Sequence, residues 1–155
     1  MTRIGVFSDT HGNLSALPRA LELAGPLDAF VHLGDYGSDG ANIEKQTGLP
    51  YHAVRGNCDF SSALPRQRVV AFEQAQILLL HGDGVSSTYQ LALLAEQAHC
   101  SAALFGHTHT PLLTAQGKIL LLNPGSLSMP RGGSGPAFAV LTVEGRQVNA
   151  KIIAL

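Results

Sequence analysis

The sequence predicts an α/β fold in which two mixed β-sheets pack face to face as a sandwich flanked by helices. Two observations favour this fold. The first half of the chain alternates short apolar runs with helical patterns, which is typical of parallel strands joined by crossover helices. The last third carries apolar runs separated by tight turns, which indicates antiparallel hairpins. With 155 residues, of which 45% are hydrophobic, the chain is expected to form one domain over residues 1–155.

A buried strand at residues 4–7 and a helix open the chain. The apolar residues of the helix recur at helical spacing, as Leu14, Leu17, Leu21 and Ala24. Pro18 is tolerated if Ser15 is the N-cap, because Pro18 then lies in the first turn, where no N–H is needed. The helix is expected to end at Gly25-Pro26.

Two further buried strands, at 29–33 and 52–54, are expected on either side of a second helix. Asp39 is the residue expected to cap this helix, which covers residues 41–46. Gly48 and Pro50 are expected to close this helix.

The second half of the chain begins with a predicted hairpin, whose strands at 69–72 and 76–80 flank a turn at 73–75. Ser87 is expected to begin a third helix, whose apolar face is Leu91, Leu94, Ala95 and Ala98. A strand at 102–105 follows this helix. Two hairpins that turn at Gln116-Gly117 and Glu144-Gly145 close the chain, with strands at 111–115, 118–122, 137–143 and 147–155.

Charge and hydropathy exclude several classes of protein. The formal net charge is −1, with 10 Lys and Arg against 11 Asp and Glu, so we expect no extended nucleic-acid groove. No apolar run reaches 18 residues, which argues against a membrane span. A strand that starts at Ile4 leaves no room for a signal peptide. Two cysteines fit a reducing compartment, and the expected location is the cytoplasm.

Polar residues of metal-binding type follow five of the apolar runs, as Asp9, His11, Asp35, Asn57, His81, His107 and His109. In α/β folds, ligand groups collect at the carboxyl ends of strands. If the segments 9–11 and 107–109 are extended, their alternate residues point the same way. Imidazole with oxygen donors suits Mn²⁺, Fe²⁺, Zn²⁺, Ni²⁺ or Co²⁺. Seven ligands exceed what one tetrahedral ion takes, so two ions that share a bridging carboxylate are expected.

Two such ions would favour phosphoryl transfer. Ions about 3.5–4 Å apart bridge a hydroxide, lower its pKa, and neutralise the oxygens that gain charge in the transition state. The bridging hydroxide would attack phosphorus in line with the leaving alkoxide, and no protein nucleophile is needed.

The motifs Asp-x-His, Gly-Asp, Gly-Asn-x-Asp, His-Gly and Gly-His-Thr-His occur here in that order, between Ile4 and Ser126. This order resembles the calcineurin-like metallophosphoesterase superfamily, and Gly-Asn-Cys-Asp with Asn-Pro-Gly-Ser is similar to its small bacterial and archaeal phosphodiesterase branch. The resemblance implies an αββα fold and two divalent ions, Mn²⁺ first among the candidates. It places Asp9, His11 and His109 on one ion, Asn57, His81 and His107 on the other, and Asp35 on both.

The chain departs from the family pattern at two positions. Many members have histidine where Cys58 stands, and that histidine is thought to protonate the leaving group. A thiol of pKa about 8.5 matches that step less well than an imidazole of about 6.5, which implies modest activity with a preference for acidic leaving groups. A role for Cys58 as a small buried filler is an equal alternative. Asp83 replaces a second histidine and is a candidate acceptor for a ligand imidazole.

Other polar residues carry weaker expectations. Arg55 is a candidate for substrate phosphate contact, or else forms a salt bridge with Asp59 that braces the loop. His32, His52 and His99 are expected to be structural. The resemblance implies that residues 123–126 support His107 and His109 from behind. Residues 132–135 form a glycine-rich segment, for which a flexible loop or lid is favoured over a phosphate cradle.

Three functions remain open at this point. The first is a phosphodiesterase acting on a small phosphodiester or nucleotide. The oligomeric state is open, and the resemblance to small family members implies a homo-oligomer as one alternative. The second is a non-catalytic scaffold, because the retromer scaffold subunit of eukaryotes resembles this fold with weakened metal chemistry. The third is a phosphomonoesterase or nuclease, and the absence of a basic groove disfavours a nuclease that acts on long polymers.

Overall fold

The computed structural model describes residues 1–60 and 62–155. It contains two five-stranded sheets and three helices, and it confirms the predicted sandwich of two mixed sheets with flanking helices. In chain order the elements are β1 (Thr2–Phe7), α1 (Leu17–Ala24), β2 (Ala29–His32), α2 (Asp39–Thr47), β3 (Tyr51–Ala53), β4 (Gln67–Phe72), β5 (Ala75–Leu80), α3 (Thr88–Gln97), β6 (Ala102–Leu104), β7 (Leu112–Gln116), β8 (Ile119–Asn123), β9 (Ala137–Glu144) and β10 (Gln147–Ala154).

Each sheet combines parallel strands with antiparallel ones. The first sheet has the order β10-β9-β1-β2-β3, and the second has the order β4-β5-β6-β8-β7. β1, β2 and β3 run parallel in the first sheet, as do β5, β6 and β8 in the second. The two C-terminal hairpins therefore belong to different sheets: the β7–β8 hairpin lies in the second sheet and the β9–β10 hairpin in the first. The parallel strands of each sheet all end at one edge, where the predicted site residues follow them.

The main core lies between the two sheets, and the helices cover the outer faces. Ile4, Val31, Leu79, Leu104 and Leu141 have no exposed surface in the inner layer. The apolar run of β5 is continuous because both faces of this strand are buried. Ile77 and Leu79 face the inner layer, while Leu78 and Leu80 face α3. A strand covered on both sides has no position for a polar residue until it ends.

The three helices begin differently from what their capping residues predicted. Ser15 does not cap α1, because the N-cap position is Ala16 and no side-chain cap bond forms there. The prediction that Asp39 caps α2 is also wrong, because Asp39 is the first residue of that helix and its carboxylate accepts hydrogen bonds from the loop after β1. The α3 prediction is confirmed: Ser87 Oγ accepts the N–H of Gln90 at 3.1 Å.

The predicted strands agree with the structure within about two residues at each end. Gln116 and Glu144, which were expected in the closing turns, are the last residues of β7 and β9. The turns themselves are formed by residues 117–118 and 145–146. In the part of the chain that the structure describes, no helix combines the length and apolarity needed to cross a membrane.

The inner layer gives a direct test of the packing. We expect Leu79→Ala to lower the free energy of unfolding by roughly 2–5 kcal/mol, because it leaves a cavity between the sheets. Leu113→Ala is the matched control, since Leu113 is 41% exposed on β7 and should cost less than about 1 kcal/mol. Urea denaturation of both variants measures the difference. Equal losses would contradict the assignment of Leu79 to the core.

Candidate metal centre

Five loops meet where the parallel strands of the two sheets end. Within the first sheet, the N–H of Asp9 donates to the carbonyl of Gly34 at 3.0 Å, and within the second, the N–H of Gly106 donates to the carbonyl of His81 at 2.9 Å. The two sheets are joined by His81, whose Nδ1 lies 2.8 Å from the carbonyl oxygen of Leu33. These contacts bring all seven predicted metal-ligand residues to one place.

Two glycines allow the loops to approach closely. A Cβ on Gly34 would lie 2.6 Å from the backbone nitrogen of Gly56, and a Cβ on Gly56 would lie 2.2 Å from Asp35 Oδ1. Gly34 also has a φ of +99°, which only glycine adopts readily. Backbone therefore contacts backbone directly beneath Asp35.

Five of the seven residues have left-handed backbone conformations. The φ angles are 55° at Asp9, 48° at His11, 54° at Asp35, 72° at His107 and 59° at His109. The expectation that the segments 9–11 and 107–109 are extended is therefore wrong. Left-handed turns, rather than strand alternation, direct these side chains inward. Non-glycine residues adopt this conformation at a cost, and they cluster at functional sites.

The first group of side chains contains Asp9, His11, Asp35 and His109, whose ligand atoms all lie within 4.8 Å of one another. His109 Nε2 lies 3.3 Å from both His11 Nε2 and Asp9 Oδ1. Asp9 Oδ1 is buried without a hydrogen-bond partner. A buried carboxylate oxygen with no donor is costly, and a bound cation would remove that cost.

The second group contains Asn57, His81 and His107. His107 Nδ1 lies 3.2 Å from Asn57 Oδ1 and 3.3 Å from His81 Nε2. Asp35 stands between the two groups, because its Oδ1 is 3.4 Å from His81 Nε2 and its Oδ2 is 3.6 Å from His11 Nε2. This carboxylate thus reaches both groups with different oxygens.

Carbonyl partners orient two of the imidazoles. His81 donates its Nδ1–H to the carbonyl of Leu33, and His109 donates its Nδ1–H to the carbonyl of Met129 at 2.6 Å. Each bond places a proton on Nδ1 and turns Nε2 toward the carboxylates, so that in the neutral imidazole Nε2 carries the lone pair that a metal ion would use. Metal-ligating histidines are typically held in this way.

The electrostatics of the centre favour positive charge. Burial alone would lower the pKa of His81, but the hydrogen bond with Asp35 and the charges of Asp9 and Asp35 outweigh it and raise that pKa. Burial opposes ionisation of Asp35, yet hydrogen bonds with His81 and with the Cys58 N–H hold its pKa well below the usual range. Asp35 is therefore anionic at neutral pH.

Asn123 and Ser126 lie behind the centre, as the family resemblance implied for this segment. Asn123 Nδ2 donates to the carbonyl of Gly106 and to Thr108 Oγ1, both at 3.0 Å. Ser126 Oγ donates to the carbonyl of Asp9 at 2.8 Å and accepts the N–H of Met129 at 2.9 Å. These bonds fix the loops that carry Asp9, His107 and His109.

Sequence reasoning missed a buried network of Thr10, His32 and Asp39. His32 Nδ1 accepts the N–H of Gly34 at 3.1 Å, so its Nε2–H donates to Thr10 Oγ1 at 2.8 Å. Thr10 in turn donates to Asp39 Oδ2 at 2.6 Å, and the N–H of Gly12 donates to the same oxygen at 2.9 Å. Asp39 thus anchors the loop that presents Asp9 and His11. The available signal was His32 itself, since a polar residue inside a buried strand needs partners.

Cys58 and Asp59 organise the third loop. The N–H of Cys58 donates to Asp35 Oδ1 at 2.9 Å, and its half-buried thiol borders the centre. Partial burial and the Asp35 carboxylate raise the pKa of the thiol, so it stays protonated at neutral pH. Asp59 accepts backbone N–H groups from Tyr36 at 2.7 Å and Gly56 at 2.8 Å, so it braces the loop through backbone groups rather than through the salt bridge expected for it.

Two expectations about charged neighbours are wrong. Asp83 pairs with Arg66 across 2.9 Å, and among the hydrogen bonds of the described residues that involve Asp83, the partner is Arg66 and not a ligand imidazole. Among the ion pairs of the described residues, none joins Arg55 to Asp59. The Nε of Arg55 is buried without a partner, and its contact with a substrate phosphate stays a prediction.

The other two histidines lie outside the centre, in agreement with a structural role. His52 packs edge-on against Phe72 with ring centroids 6.1 Å apart, and His99 is exposed just beyond α3.

The glycine-rich loop begins beside the centre, because the N–H of Arg131 donates to the carbonyl of His109 at 3.0 Å.

Comparison with known proteins agrees with this geometry. The family model described as the calcineurin-like phosphoesterase superfamily domain matches residues 2–146. The chain is 33% identical to a probable metallophosphoesterase of Methanothermobacter thermautotrophicus, covering 97% of this chain and 91% of that protein. It is 31% identical to the phosphodiesterase YfcE of Escherichia coli K12, covering 91% and 88%. A predicted phosphoesterase of Streptococcus pneumoniae TIGR4 has a similar structure, with TM-score 0.80, 27% identity and coverage of 99% and 89%.

The network around His32 predicts a loss of stability in acid. Burial lowers the pKa of His32 to about 4, whereas in the unfolded chain it is about 6.5. The unfolded state therefore binds the proton first as the pH falls below 6.5. Without metal, the free energy of unfolding should fall by roughly 2–3 kcal/mol between pH 7 and 4.5 from this residue alone.

Urea denaturation in the presence of a chelator measures this dependence. His32→Gln should flatten the slope of unfolding free energy against pH in that window. His99→Asn is the control, since His99 is exposed and asparagine tolerates its left-handed backbone. An unchanged slope in His32→Gln would show that His32 is not held neutral.

Proposed function

Because the chain belongs to the calcineurin-like phosphoesterase superfamily, we propose that it is a metal-dependent phosphodiesterase that hydrolyses a small phosphodiester or nucleotide. The observation that carries this proposal is the position of Asp35 between two groups of nitrogen and oxygen donors. Such an arrangement suits a pair of divalent ions that share one carboxylate.

The donor set fits two ions. Asp9, His11 and His109 would hold one ion, and Asn57, His81 and His107 would hold the other, with Asp35 shared. The unpartnered oxygen of Asp9 and the Nε2 lone pairs of His81 and His109 support this assignment. The mixture of imidazole and oxygen ligands favours Mn²⁺, with Ni²⁺, Fe²⁺, Zn²⁺ and Co²⁺ as alternatives.

A bound pair of divalent ions supplies a hydroxide nucleophile at neutral pH and neutralises charge on the phosphoryl oxygens. The residues of the chain do the remaining work. Asp35 remains ionised, and Thr10 with Asp39 holds the loop of Asp9 and His11 in place. Cys58 is a protonated thiol beside Asp35, to which its own backbone N–H is bonded. Because this thiol is a weak acid, substrates whose leaving groups depart without a proton should be hydrolysed faster.

Two other functions compete with the proposed phosphodiesterase activity, and both can be tested. A phosphomonoesterase would use the same ions, so only substrate comparison separates it from a diesterase. A non-catalytic scaffold would not require the complete donor set that this chain retains.

The two cysteines, Cys58 and Cys100, are both free thiols, which supports our proposal of a cytoplasmic location.

Metal reconstitution tests the proposed function. Protein stripped of metal should regain hydrolysis of bis(4-nitrophenyl) phosphate with Mn²⁺. Asp35→Asn keeps the acceptor for the Cys58 N–H but removes the charge, and it should lower kcat/KM more than about a hundredfold. Metal content per chain should fall in the same variant, as measured by mass spectrometry of the eluted ions.

Glu96→Gln is the control, because Glu96 is an exposed carboxylate on α3 and its loss should leave both readouts unchanged. Folded protein that hydrolyses no phosphodiester with any of the five divalent metals would contradict the proposal. Faster hydrolysis of 4-nitrophenyl phosphate than of the diester would favour the monoesterase.

Replacement of Cys58 tests its place near the leaving group. Cys58→His should raise kcat by roughly ten- to hundredfold on phosphodiesters with alkyl leaving groups, because imidazole is a better proton donor at neutral pH. On 4-nitrophenyl esters the gain should be small, since that leaving group departs without a proton. Cys100→Ala is the control. Equal rates on alkyl esters for Cys58→His and the native protein would remove Cys58 from the mechanism.

A further inference from the structure

A cleft of about 490 Å³ lies beside the metal centre, and of its lining residues the proposed mechanism uses Cys58 alone. Tyr36, Tyr51, Cys58, Phe60 and Leu64 are among its lining residues. Its size falls within the range of small-molecule sites. Two of these residues connect it to the centre: the N–H of Cys58 donates to Asp35 Oδ1, and the ring of Tyr36 lies 5.5 Å from that of His11.

Three of the described residues that line the cleft are aromatic. Phe60 is 90% exposed and Tyr36 is 44% exposed, so both rings present large apolar surface to solvent. Tyr51 is held in place, because its ring stacks on Phe30 with centroids 5.0 Å apart and planes 6° from parallel. Exposed aromatic side chains beside a catalytic centre offer stacking surfaces for a flat group.

The charge of the cleft narrows the kind of group it accepts. Of the lining residues that the structure describes, Asp59 alone is charged, and its carboxylate already accepts N–H groups from Tyr36, Gly37 and Gly56. Neither lysine nor arginine is among those lining residues. A second phosphate or a carboxylate would find no cation there, whereas an uncharged planar ring would bury apolar surface.

We propose that this cleft binds the nucleobase of a nucleoside phosphoester whose phosphate lies at the metal centre. The inference rests on the proposed function, because the metal centre must hold the phosphate for the cleft to hold the base. The base stacks against Phe60 and Tyr36, and Cys58 lies where the cleft meets the centre. The substrate class is then a nucleotide or nucleoside phosphodiester rather than an alkyl phosphodiester.

Calorimetry on the Mn²⁺-loaded protein tests the cleft without turnover. The probes are adenosine 5′-monophosphate and inorganic phosphate, which share the phosphate and differ in the nucleoside. We expect the nucleotide to bind the native protein at least about tenfold more tightly than phosphate. Phe60→Ala should raise the Kd of the nucleotide about tenfold and leave the Kd of phosphate within twofold. Phe60→Tyr keeps the ring and should retain the native values.

Tyr89→Ala is the matched control, because Tyr89 is 67% exposed on α3 and does not line this cleft. Equal Kd values for the two probes in the native protein would overturn the cleft proposal, as would a nucleotide Kd that Phe60→Ala leaves unchanged or that Tyr89→Ala raises equally. Hydrolysis of bis(4-nitrophenyl) phosphate by the same protein would then show that the metal centre stands. Absence of both phosphate binding and hydrolysis contradicts the proposed function itself.

Discussion

The hydrogen bond between His81 and the carbonyl of Leu33 is the contact on which the centre depends. It joins the end of β5 in one sheet to the end of β2 in the other, and both groups are buried. Because it fixes the tautomer of His81, it also directs Nε2 toward Asp35. Two separate sheets thereby contribute to one site. Each sheet alone would present an incomplete set of donors at its edge.

Much of the fold could be predicted from the sequence, because burial leaves a direct pattern. β5 is apolar on both sides and becomes polar only where it ends, so both the strand and the position of His81 follow from one run of residues. The helix starts were harder to predict. Asp39 satisfies the composition rule for a cap, yet its carboxylate binds Thr10 and Gly12, which lie 27 or more residues earlier in the chain. Such tertiary competition has no local signature.

The site, like the fold, could be predicted only in part. Residue types and their positions after strands indicated seven candidate metal ligands, and the structure brings their side chains together. The sequence could not supply the directions of their side chains, since the left-handed backbone at Asp9 and His107 is held by hydrogen bonds with distant segments. Asp83 is a similar case, because the arginine that pairs with it lies 17 residues away. Each strained residue costs on the order of 1 kcal/mol, and the surrounding bonds keep the strain in place.

The close approach of Gly34 and Gly56 has a consequence for how this chain can diverge. With backbone touching backbone beneath Asp35, neither position accepts even one additional methyl group without moving the loops. Related sequences that keep this site should therefore retain glycine at positions 34 and 56. Their freedom lies in the outer loops, such as the one that carries Phe60. Selection can therefore change the outer loops while the candidate metal ligands keep their positions.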